Sequence, residues 1–325
     1  MYYFVTGGAG FIGSHLIERL LAENHHVWCL DNFNDYYPPE MKQKNLEVAQ
    51  SHANFKLIQG DILDERLLTD IFQSQQFDGI IHLAARAGVR PSVQQPKLYE
   101  EVNVRGTLNL LEIARVFQVQ KFIMASSSSV YGNNRKVPFS EDDPVDQPIS
   151  PYAATKKAAE LIGYTYWNLF NISVTCLRFF TVYGPRQRPD MAIHKFTRLI
   201  ANDEEIPIYG DGSAQRDFTF ISDIIEGVER SIERCQGYHI YNLGDSRVVS
   251  LMQLLNLIEQ NLGKRAKIKY LPAQPGDVRI TYADIQKATD DLGYRPLVPI
   301  EQGIAAFVEW FLQYDNHFGS ARSSK

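Results

Sequence analysis

Apolar and polar positions alternate with two different periods along the first half of the chain. Short runs rich in β-branched, aliphatic and aromatic residues predict strands, and longer stretches with an apolar residue every three or four positions predict helices. The predicted strands are residues 2–6, 27–31, 55–59, 79–83, 121–125 and 173–178. The predicted helices are residues 11–23, 64–73, 102–117 and 151–170. Strands that alternate with helices predict an α/β fold with a doubly wound parallel sheet.

After about residue 180 this regular alternation stops. Stretches rich in Gly, Pro and charge at 184–190 and 272–277 separate shorter elements, and residues 251–262 and 300–314 have helical spacing. We predict a sheet domain at 1–180 and a smaller α/β substrate-binding lobe at 181–318, with some segments of the lobe returning to the main sheet. The tail at 319–325, GSARSSK, is small and polar, which predicts disorder.

The composition is that of an ordinary soluble globular protein, with 44% hydrophobic and 22% charged residues. The net charge of −5, without a run of basic residues, argues against nucleic acid as a partner. No stretch reaches the ~18 uninterrupted apolar residues of a membrane span, and the chain enters a glycine-rich turn too early for a secretory signal. Cys29, Cys176 and Cys235 are widely separated, which indicates neither a disulfide framework nor a zinc site. We therefore expect a cytoplasmic protein without a bound metal ion.

A glycine-rich segment, TGGAGFIG, joins the first predicted strand to the first predicted helix. Gly7 permits a tight turn, Gly10 lets the backbone approach a pyrophosphate, and Gly13 allows the helix to pack closely on the strand. The free N–H groups at the start of the helix favour anionic phosphate. The next strand ends in Asp31, where a carboxylate meets the ribose hydroxyls of adenosine and repels a 2′-phosphate. The pattern predicts a Rossmann-type fold that binds NAD rather than NADP.

Tyr152 and Lys156 stand four residues apart, a spacing that puts both side chains on one face of the predicted helix. A free phenol has a pKa near ~10, so Tyr152 needs nearby positive charge to act as a base near neutral pH. The serine run at 126–129 follows a strand that ends at the same edge of the sheet, so we expect its hydroxyls to meet Tyr152. Serines also form turns, and this Tyr/Lys spacing also occurs by chance on surface helices.

The segments TGGAGFIG, HLAA, SSSSVYG, SPYAATK and RFFTVYGP follow one another along the chain. Together they resemble the extended short-chain dehydrogenase/reductase family. The resemblance implies Tyr152 as catalytic base and Lys156 as the partner that lowers its pKa and holds the nicotinamide ribose. It implies Ser127 as the hydroxyl on the sugar O4, a role that Ser128 and Ser129 share. The NAD contacts that it implies are Gly7, Gly10, Phe11, Ile12, Gly13, Asp31, Asn32, Asp61, Ile62, Leu83, Ala84, Ala85, Asn103, Tyr152 and Lys156.

Two segments, at 84–92 and 179–196, most resemble the family members that invert C4 of UDP-glucuronate through a transient 4-keto sugar. Arginine is a bidentate partner for a uronate carboxylate. Arg188 is the first candidate, and Arg186 and Arg90 are the alternatives, while a phosphate contact or a solvent ion pair remains open for each. The resemblance implies further UDP-sugar contacts from Ser127, Ser128, Thr181, Ile208 in a uracil-facing strand at 206–209, Arg216 and Asp277.

Several alternatives follow from the same residues. Asp61 is as compatible with a helix N-cap as with an adenine contact. Dehydratases and decarboxylases of the family typically carry an acidic residue before VYG, where this chain has serines only, which favours plain epimerisation. The other functions considered are a 4-epimerase of a neutral or N-acetylated UDP-hexose, a UDP-glucuronate decarboxylase and a regulatory protein that binds NAD without turnover.

Two further points concern variation and assembly. Family members more often have a bulky aromatic residue and a glycine in place of Arg186-Gln187, which leaves the details of carboxylate recognition open.

The predicted helices at 102–117 and 151–170 match those that pair across a two-fold axis in the family, which implies a homodimer. Their apolar positions are also compatible with packing inside one chain.

Overall fold

The computed structural model describes residues 1–272 and 280–319. The strands in these ranges are β1 (Tyr2–Thr6), β2 (His26–Asp31), β3 (Phe55–Gln59), β4 (Gly79–His82), β5 (Lys121–Ser127), β6 (Ser173–Phe179), β7 (Thr181–Tyr183), β8 (Glu205–Tyr209), β9 (Gln215–Phe220), β10 (Tyr238–Leu243), β11 (Val248–Ser250) and β12 (Lys267–Leu271). The helices are α1 (Phe11–Ala22), α2 (Pro39–Asn45), α3 (Glu47–Gln50), α4 (Glu65–Ser74), α5 (Val89–Gln94), α6 (Pro96–Glu100), α7 (Gly106–Val116), α8 (Pro151–Phe170), α9 (Ala192–Ala201), α10 (Ile221–Glu233), α11 (Leu251–Leu262), α12 (Gln286–Leu292) and α13 (Ile300–Gly319).

The main sheet is parallel, with strand order β3-β2-β1-β4-β5-β6-β10, and confirms the predicted Rossmann-type α/β fold. Helices α1 and α10 pack on one face of the sheet, and α4, α7 and α8 pack on the other. The strand order reverses between β1 and β4. Ligands of open α/β sheets bind outside the carboxyl ends of the strands at such a reversal, so the fold places a crevice there.

The strands and helices predicted in the first half are confirmed, with their ends displaced by a few residues. The predicted helix 102–117 starts with a π-helical turn (Glu101–Arg105) before α7. β5 continues to Ser127, because Ser126 and Ser127 pair with the last residues of β6. The helices α2, α3, α5 and α6 were not predicted, since none exceeds seven residues and such lengths show no clear periodicity.

The second half of the chain forms smaller sheets and also contributes β10 to the main sheet. β9 lies between β7 and β11, and β12 pairs in parallel with β8. The helical spacing at 251–262 and 300–314 corresponds to α11 and α13, which share an apolar core with α9. The division into two domains at residue 180 stays a prediction.

Some predicted features fall beyond the described ranges. Residues 273–279, which include Asp277, and residues 320–325 of the predicted tail lie outside the described residues. Gly319, the first residue of that tail, is the last residue of α13. In the part of the chain that the structure describes, no helix is long and apolar enough to cross a membrane.

Candidate active site

A cleft of about 350 Å³ lies at the carboxyl edge of the main sheet. It brings most of the predicted site residues together, from the glycine-rich turn to the start of α8. The predicted residues that line it are Gly7, Gly10, Phe11, Ile12, Gly13, Asp31, Asn32, Asp61, Ile62, Leu83, Ala84, Ala85, Ser127, Tyr152, Lys156 and Arg188.

The glycine-rich turn between β1 and α1 has no space for side chains at two positions. Gly7 has a φ of +70°, and a Cβ added there would lie 2.6 Å from the backbone nitrogen of Ala84. A Cβ at Gly13 would lie 2.7 Å from Cα of Gly8. Gly10 is the N-cap of α1 and provides no side-chain hydrogen bond to its first turn. The first N–H groups of α1 therefore face the cleft without a side-chain cap, as binding of a pyrophosphate requires.

Asp31, the last residue of β2, is held at the cleft by the backbone. One carboxylate oxygen accepts from the N–H of Ala9 at 3.1 Å and the other from the N–H of Phe33 at 2.9 Å. Burial raises the pKa of Asp31, while these N–H groups and the charge of Lys42 oppose the rise. The carboxylate thus lies beside the glycine-rich turn in a fixed orientation.

Asp61 lies next to Asn32, whose side-chain amide donates to Oδ2 of Asp61 at 2.7 Å. The N-cap of α4 is Asp64, whose Oδ1 accepts from the N–H of Leu67 at 2.9 Å. The alternative interpretation of Asp61 as the helix N-cap is therefore wrong.

Tyr152 and Lys156 lie in the first turns of α8. Ser150 caps this helix by accepting from the N–H of Ala153 at 3.1 Å, and Pro151 follows it. Withdrawal from bulk water raises the pKa of Tyr152, and a hydrogen bond with Ser127 and the charge of Arg188 oppose the rise. Burial lowers the pKa of Lys156 to about 8, and Nζ donates to the carbonyl of Ala125 at 2.8 Å. This geometry brings a phenol, a hydroxyl and two cations into one cleft, where the phenol can serve as a general acid or base.

The serines of the run at 126–129 have different surroundings. Ser127 meets Tyr152, whereas Ser128 and Ser129 lie in a 3-10 turn and do not line the cleft. Ser126 also lines the cleft, and its hydroxyl donates to Glu160 at 2.6 Å. Behind it, Nε and Nη2 of Arg178 donate to the two oxygens of Glu160, each at 2.9 Å. This buried ion pair joins α8 to the ends of β5 and β6.

The three candidate arginines point to different places. Arg188 lines the cleft, and its Nε and Nη2 donate to Asp190 at 2.9 and 2.8 Å. Arg186 turns away from the cleft, with Nη2 donating to Glu18 of α1 at 2.7 Å. Cζ of Arg90 lies 4.8 Å from the ring centroid of Tyr209. Of these arginines, Arg188 is the one that the structure places beside Tyr152.

Arg186 and Gln187, the two residues that depart from the family pattern, do not line the cleft. Gln187 is buried, its Nε2 donates to the carbonyl of Val182 at 3.0 Å, and its Oε1 accepts from the N–H of His194 at 3.2 Å. The two residues therefore hold the loop between β7 and α9 in place.

The remaining predicted residues within the described ranges lie outside the lining of the cleft. Asn103 is buried behind its wall, where the side-chain amide bonds to both backbone polar groups of Arg86. The side chain of Ile208 is fully buried in the core of the second half, so only its backbone is available to a ligand. Thr181 begins β7, and Nη1 of Arg216 in β9 donates to the carbonyl of Gln215 at 2.8 Å.

Tyr36, Lys42 and Arg86 are among the residues that line the cleft and were not predicted. Lys42 is buried, and its Nζ donates to the carbonyl of Asn34 at 2.9 Å. The Tyr36 ring centroid lies 6.0 Å from Cζ of Arg86 and 5.4 Å from Cζ of Arg188. The sequence NFNDYY, which is rich in aromatic and amide side chains, could have indicated a binding segment here, because it directly follows Asp31 at the carboxyl end of a strand.

Comparison with known proteins gives matches along most of the chain. A family model for GDP-mannose 4,6 dehydratase matches residues 4–307. The UDP-glucuronate 4-epimerase of Thermodesulfobacterium geofontis is 45% identical over 310 residues, which cover 95% of each chain. The crystal structure of UDP-glucuronic acid 4-epimerase from Bacillus cereus, in complex with UDP-glucuronic acid and NAD, has a TM-score of 0.90 and 37% identity, covering 97% of this chain and 100% of that one. UDP-glucose 4-epimerase from Thermotoga maritima, with UDP-glucose, has a TM-score of 0.89 and 33% identity, covering 97% and 99%.

These matches agree with the sheet order, the glycine-rich turn and the placement of Tyr152 and Lys156 in one cleft. They extend over both halves of the chain, so they are not restricted to a common cofactor-binding unit. The chain belongs to the extended short-chain dehydrogenase/reductase family.

Proposed function

We propose that this protein is an NAD-dependent UDP-sugar 4-epimerase that interconverts UDP-glucuronate and UDP-galacturonate. The observation that carries the choice of sugar is the position of Arg188, which lines the same cleft as Tyr152 and acts on its pKa. A hexuronate has its carboxylate on the carbon next to C4, so a cation beside the phenol suits it. The relatives named as UDP-glucuronate 4-epimerases support the same choice.

NAD fits the amino-terminal part of the cleft. The uncapped start of α1 suits its pyrophosphate, and the Asp31 carboxylate suits the two free hydroxyls of its adenosine ribose while disfavouring a 2′-phosphate. The remaining contacts that we propose come from Gly7, Gly10, Phe11, Ile12, Gly13, Asn32, Asp61, Ile62, Leu83, Ala84, Ala85, Tyr152 and Lys156. When bound, NAD would supply the acceptor for the hydride of C4 and, after the 4-keto sugar has turned over in the cleft, the donor that returns the hydride to the opposite face.

The chain's own residues handle the proton of the 4-hydroxyl. Tyr152 accepts this proton at its phenolate oxygen and later returns it, while the Ser127 hydroxyl holds the sugar O4. The charge of Arg188 opposes the rise in the pKa of Tyr152, and we propose that the ammonium of Lys156, which lines the same cleft, also stabilises the phenolate. Because burial lowers the pKa of Lys156 only to about 8, its ammonium persists near neutral pH.

Oxidation of a uronate at C4 gives a β-keto acid, which tends to lose carbon dioxide. We propose that Arg188 binds the carboxylate and holds it out of alignment for departure. The absence of an acidic residue in the run at 126–129 also argues against decarboxylation. For the nucleotide, we propose Arg216, Arg90 and the backbone of Ile208, together with Asp277, which lies outside the described residues.

A 4-epimerase of a neutral UDP-hexose is the second candidate, because the Thermotoga maritima relative is a UDP-glucose 4-epimerase. The test is product analysis by NMR after incubation with UDP-glucuronate, UDP-glucose and UDP-N-acetylglucosamine in parallel. We expect UDP-galacturonate from the acid, without inversion at C5 and without carbon dioxide. Turnover of a neutral sugar but not of the acid would overturn the choice of sugar. Unchanged turnover in Tyr152→Phe would overturn the catalytic assignment.

We further propose that the protein acts as a cytoplasmic homodimer built on α7 and α8. Leu108 and Val116 on α7 and Leu161 and Leu169 on α8 are exposed, and apolar side chains of this size favour burial against a partner. Light scattering coupled to gel filtration tests this assembly. We expect a dimer mass that falls to the monomer mass in Leu161→Glu, with the exposed apolar residue Leu297→Glu as the matched control.

A further inference from the structure

The loop between β7 and α9 is fixed on both sides of Arg188. Before it, Arg186 pairs with Glu18 at 2.7 Å and Gln187 donates to the carbonyl of Val182 at 3.0 Å. After it, the N–H of Met191 donates to the carbonyl of Arg188 at 3.2 Å. The backbone that carries Arg188 is therefore held in place, and the orientation of its guanidinium depends on the side chains around it.

Asp190 contacts that guanidinium along one edge. Its two oxygens accept from Nε and Nη2 of Arg188 at 2.9 and 2.8 Å, and Nη1 takes no part in this pairing. A planar guanidinium can bind carboxylates along more than one edge, since it carries five N–H donors in a rigid geometry. The side chain of Asp190 is 42% exposed and that of Arg188 is 21% exposed, so the pair lies at the wall of the cleft rather than in the core.

Tyr36 completes the surroundings of this ion pair. Its ring centroid lies 5.4 Å from Cζ of Arg188, and its hydroxyl donates to Oδ2 of Asp190 at 3.4 Å. A guanidinium near an aromatic ring is attracted to the face of the ring. Asp190 and Tyr36 thus restrict Arg188 from two directions, while Arg188 and Tyr36 both line the cleft that contains Tyr152.

We propose that Asp190 is a positioning residue that holds the Nε edge of Arg188, so that the Nη1 side of the guanidinium is presented to the carboxylate of a uronic acid. This inference rests on the proposed function, because it presupposes a sugar with a carboxylate. Asp190 acts through Arg188 and does not touch the sugar. Bonding to Arg188 outweighs the burial that raises its carboxyl pKa, so the pKa of Asp190 is below its usual value and the group stays ionised near neutral pH.

Binding of UDP-glucuronate and UDP-glucose to the NAD-loaded protein, measured by calorimetry, tests this role. A Tyr152→Phe background prevents turnover. We expect Asp190→Ala to weaken UDP-glucuronate binding about 10-fold, the lower end of the loss seen when a group that orients a metal ligand is removed, and to leave UDP-glucose binding unchanged. The affinity of Asp190→Asn for UDP-glucuronate should lie between those of Asp190→Ala and the protein with Asp190, because the amide oxygen can accept one of the two bonds from Arg188. In an Arg188→Ala background, Asp190→Ala should have no further effect.

Other results would overturn the inference. Tighter binding of UDP-glucuronate to Asp190→Ala would mean that Asp190 competes with the substrate for Arg188. If Asp190→Ala weakened the binding of both UDP-sugars equally, Asp190 would have a structural role. The same conclusion would follow if Asp190→Ala still weakened UDP-glucuronate binding fully in the Arg188→Ala background. If the unmutated site showed no preference for UDP-glucuronate, the proposed function would fail first. Asp203→Ala, which breaks an exposed ion pair with Lys264, is the matched control and should bind both sugars normally.

Discussion

The ion pair between Arg178 and Glu160 offers a direct test of how the catalytic helix is held. The two side chains are 1% and 0% exposed, and Glu160 accepts two bonds from Arg178, one from Ser126 and one from Lys157. In Glu160→Gln, the charge is lost and an amide N–H₂ faces a guanidinium donor. Removing one partner of a buried pair costs about 3–5 kcal/mol, because the other charge remains buried without compensation.

Thermal unfolding followed by circular dichroism measures this loss. At about 2 °C per kcal/mol for a protein of this size class, we expect the melting temperature to fall by about 6–10 °C. The matched variant is Glu160→Leu combined with Arg178→Met, which removes both charges. Replacing a whole buried pair by apolar side chains is often nearly neutral, so the double variant should be more stable than Glu160→Gln.

A loss in Glu160→Gln of less than about 1 kcal/mol, the range of an exposed pair, would refute the reasoning. So would a double variant that melts as low as the single one, because the cost would then not come from the uncompensated charge of Arg178. Arg115→Ala, which breaks the exposed pair of Arg115 with Glu112, provides the comparison for a surface interaction.

Three further predictions concern pH and the cofactor. Turnover should fall as pH rises above about 8, where Lys156 loses its charge, and Lys156→Arg should move this limb to higher pH; a limb that stays near 8 would belong to another group. Burial lowers the pKa of His82 to about 3, below the ~6.5 of a histidine in an unfolded chain. Between these two pH values the unfolded state binds a proton that the folded state does not. The free energy of unfolding therefore decreases as the pH is lowered from about 6.5 to about 3. His82→Gln should flatten the dependence of the urea midpoint on pH, and an unchanged slope would contradict this. Gly13→Ala should weaken NAD binding, measured by fluorescence, at least about 5-fold, since overpacking costs about 1–3 kcal/mol. Gly263→Ala, at the end of α11 and outside the cleft, should leave NAD binding unchanged.

The fold and the cofactor turn could be predicted from sequence because both depend on local rules. Apolar periodicity determines which face of a strand or helix is buried. Within the turn, Gly7 has a positive φ, and a Cβ at Gly13 would meet the backbone of Gly7 and Gly8. Asp31 was predictable for the same reason, since it ends the strand after that turn. Each of these features needs only the order of neighbouring elements.

Features that depend on distant parts of the chain were harder to predict. The sequence singled out three arginines, and only the folded loop shows that Arg186 turns to α1 while Arg188 turns to the cleft. Nothing local distinguishes Ser127 from its neighbours until the pairing of β5 with β6 determines its direction. Tyr36 and Lys42 were missed because they lie between β2 and β3, in a segment whose course no periodic pattern describes.

The return of β10 to the main sheet bears on how the protein is synthesised. β6 has β5 on one side and β10 on the other, and Asn242 in β10 accepts from the hydroxyl of Tyr131 at 2.6 Å. A nascent chain that has emerged only as far as β6 has an unpaired strand edge, the kind of surface on which chains aggregate. The sheet that carries the glycine-rich turn is therefore complete only when translation has passed Leu243 and the following residues have left the ribosome.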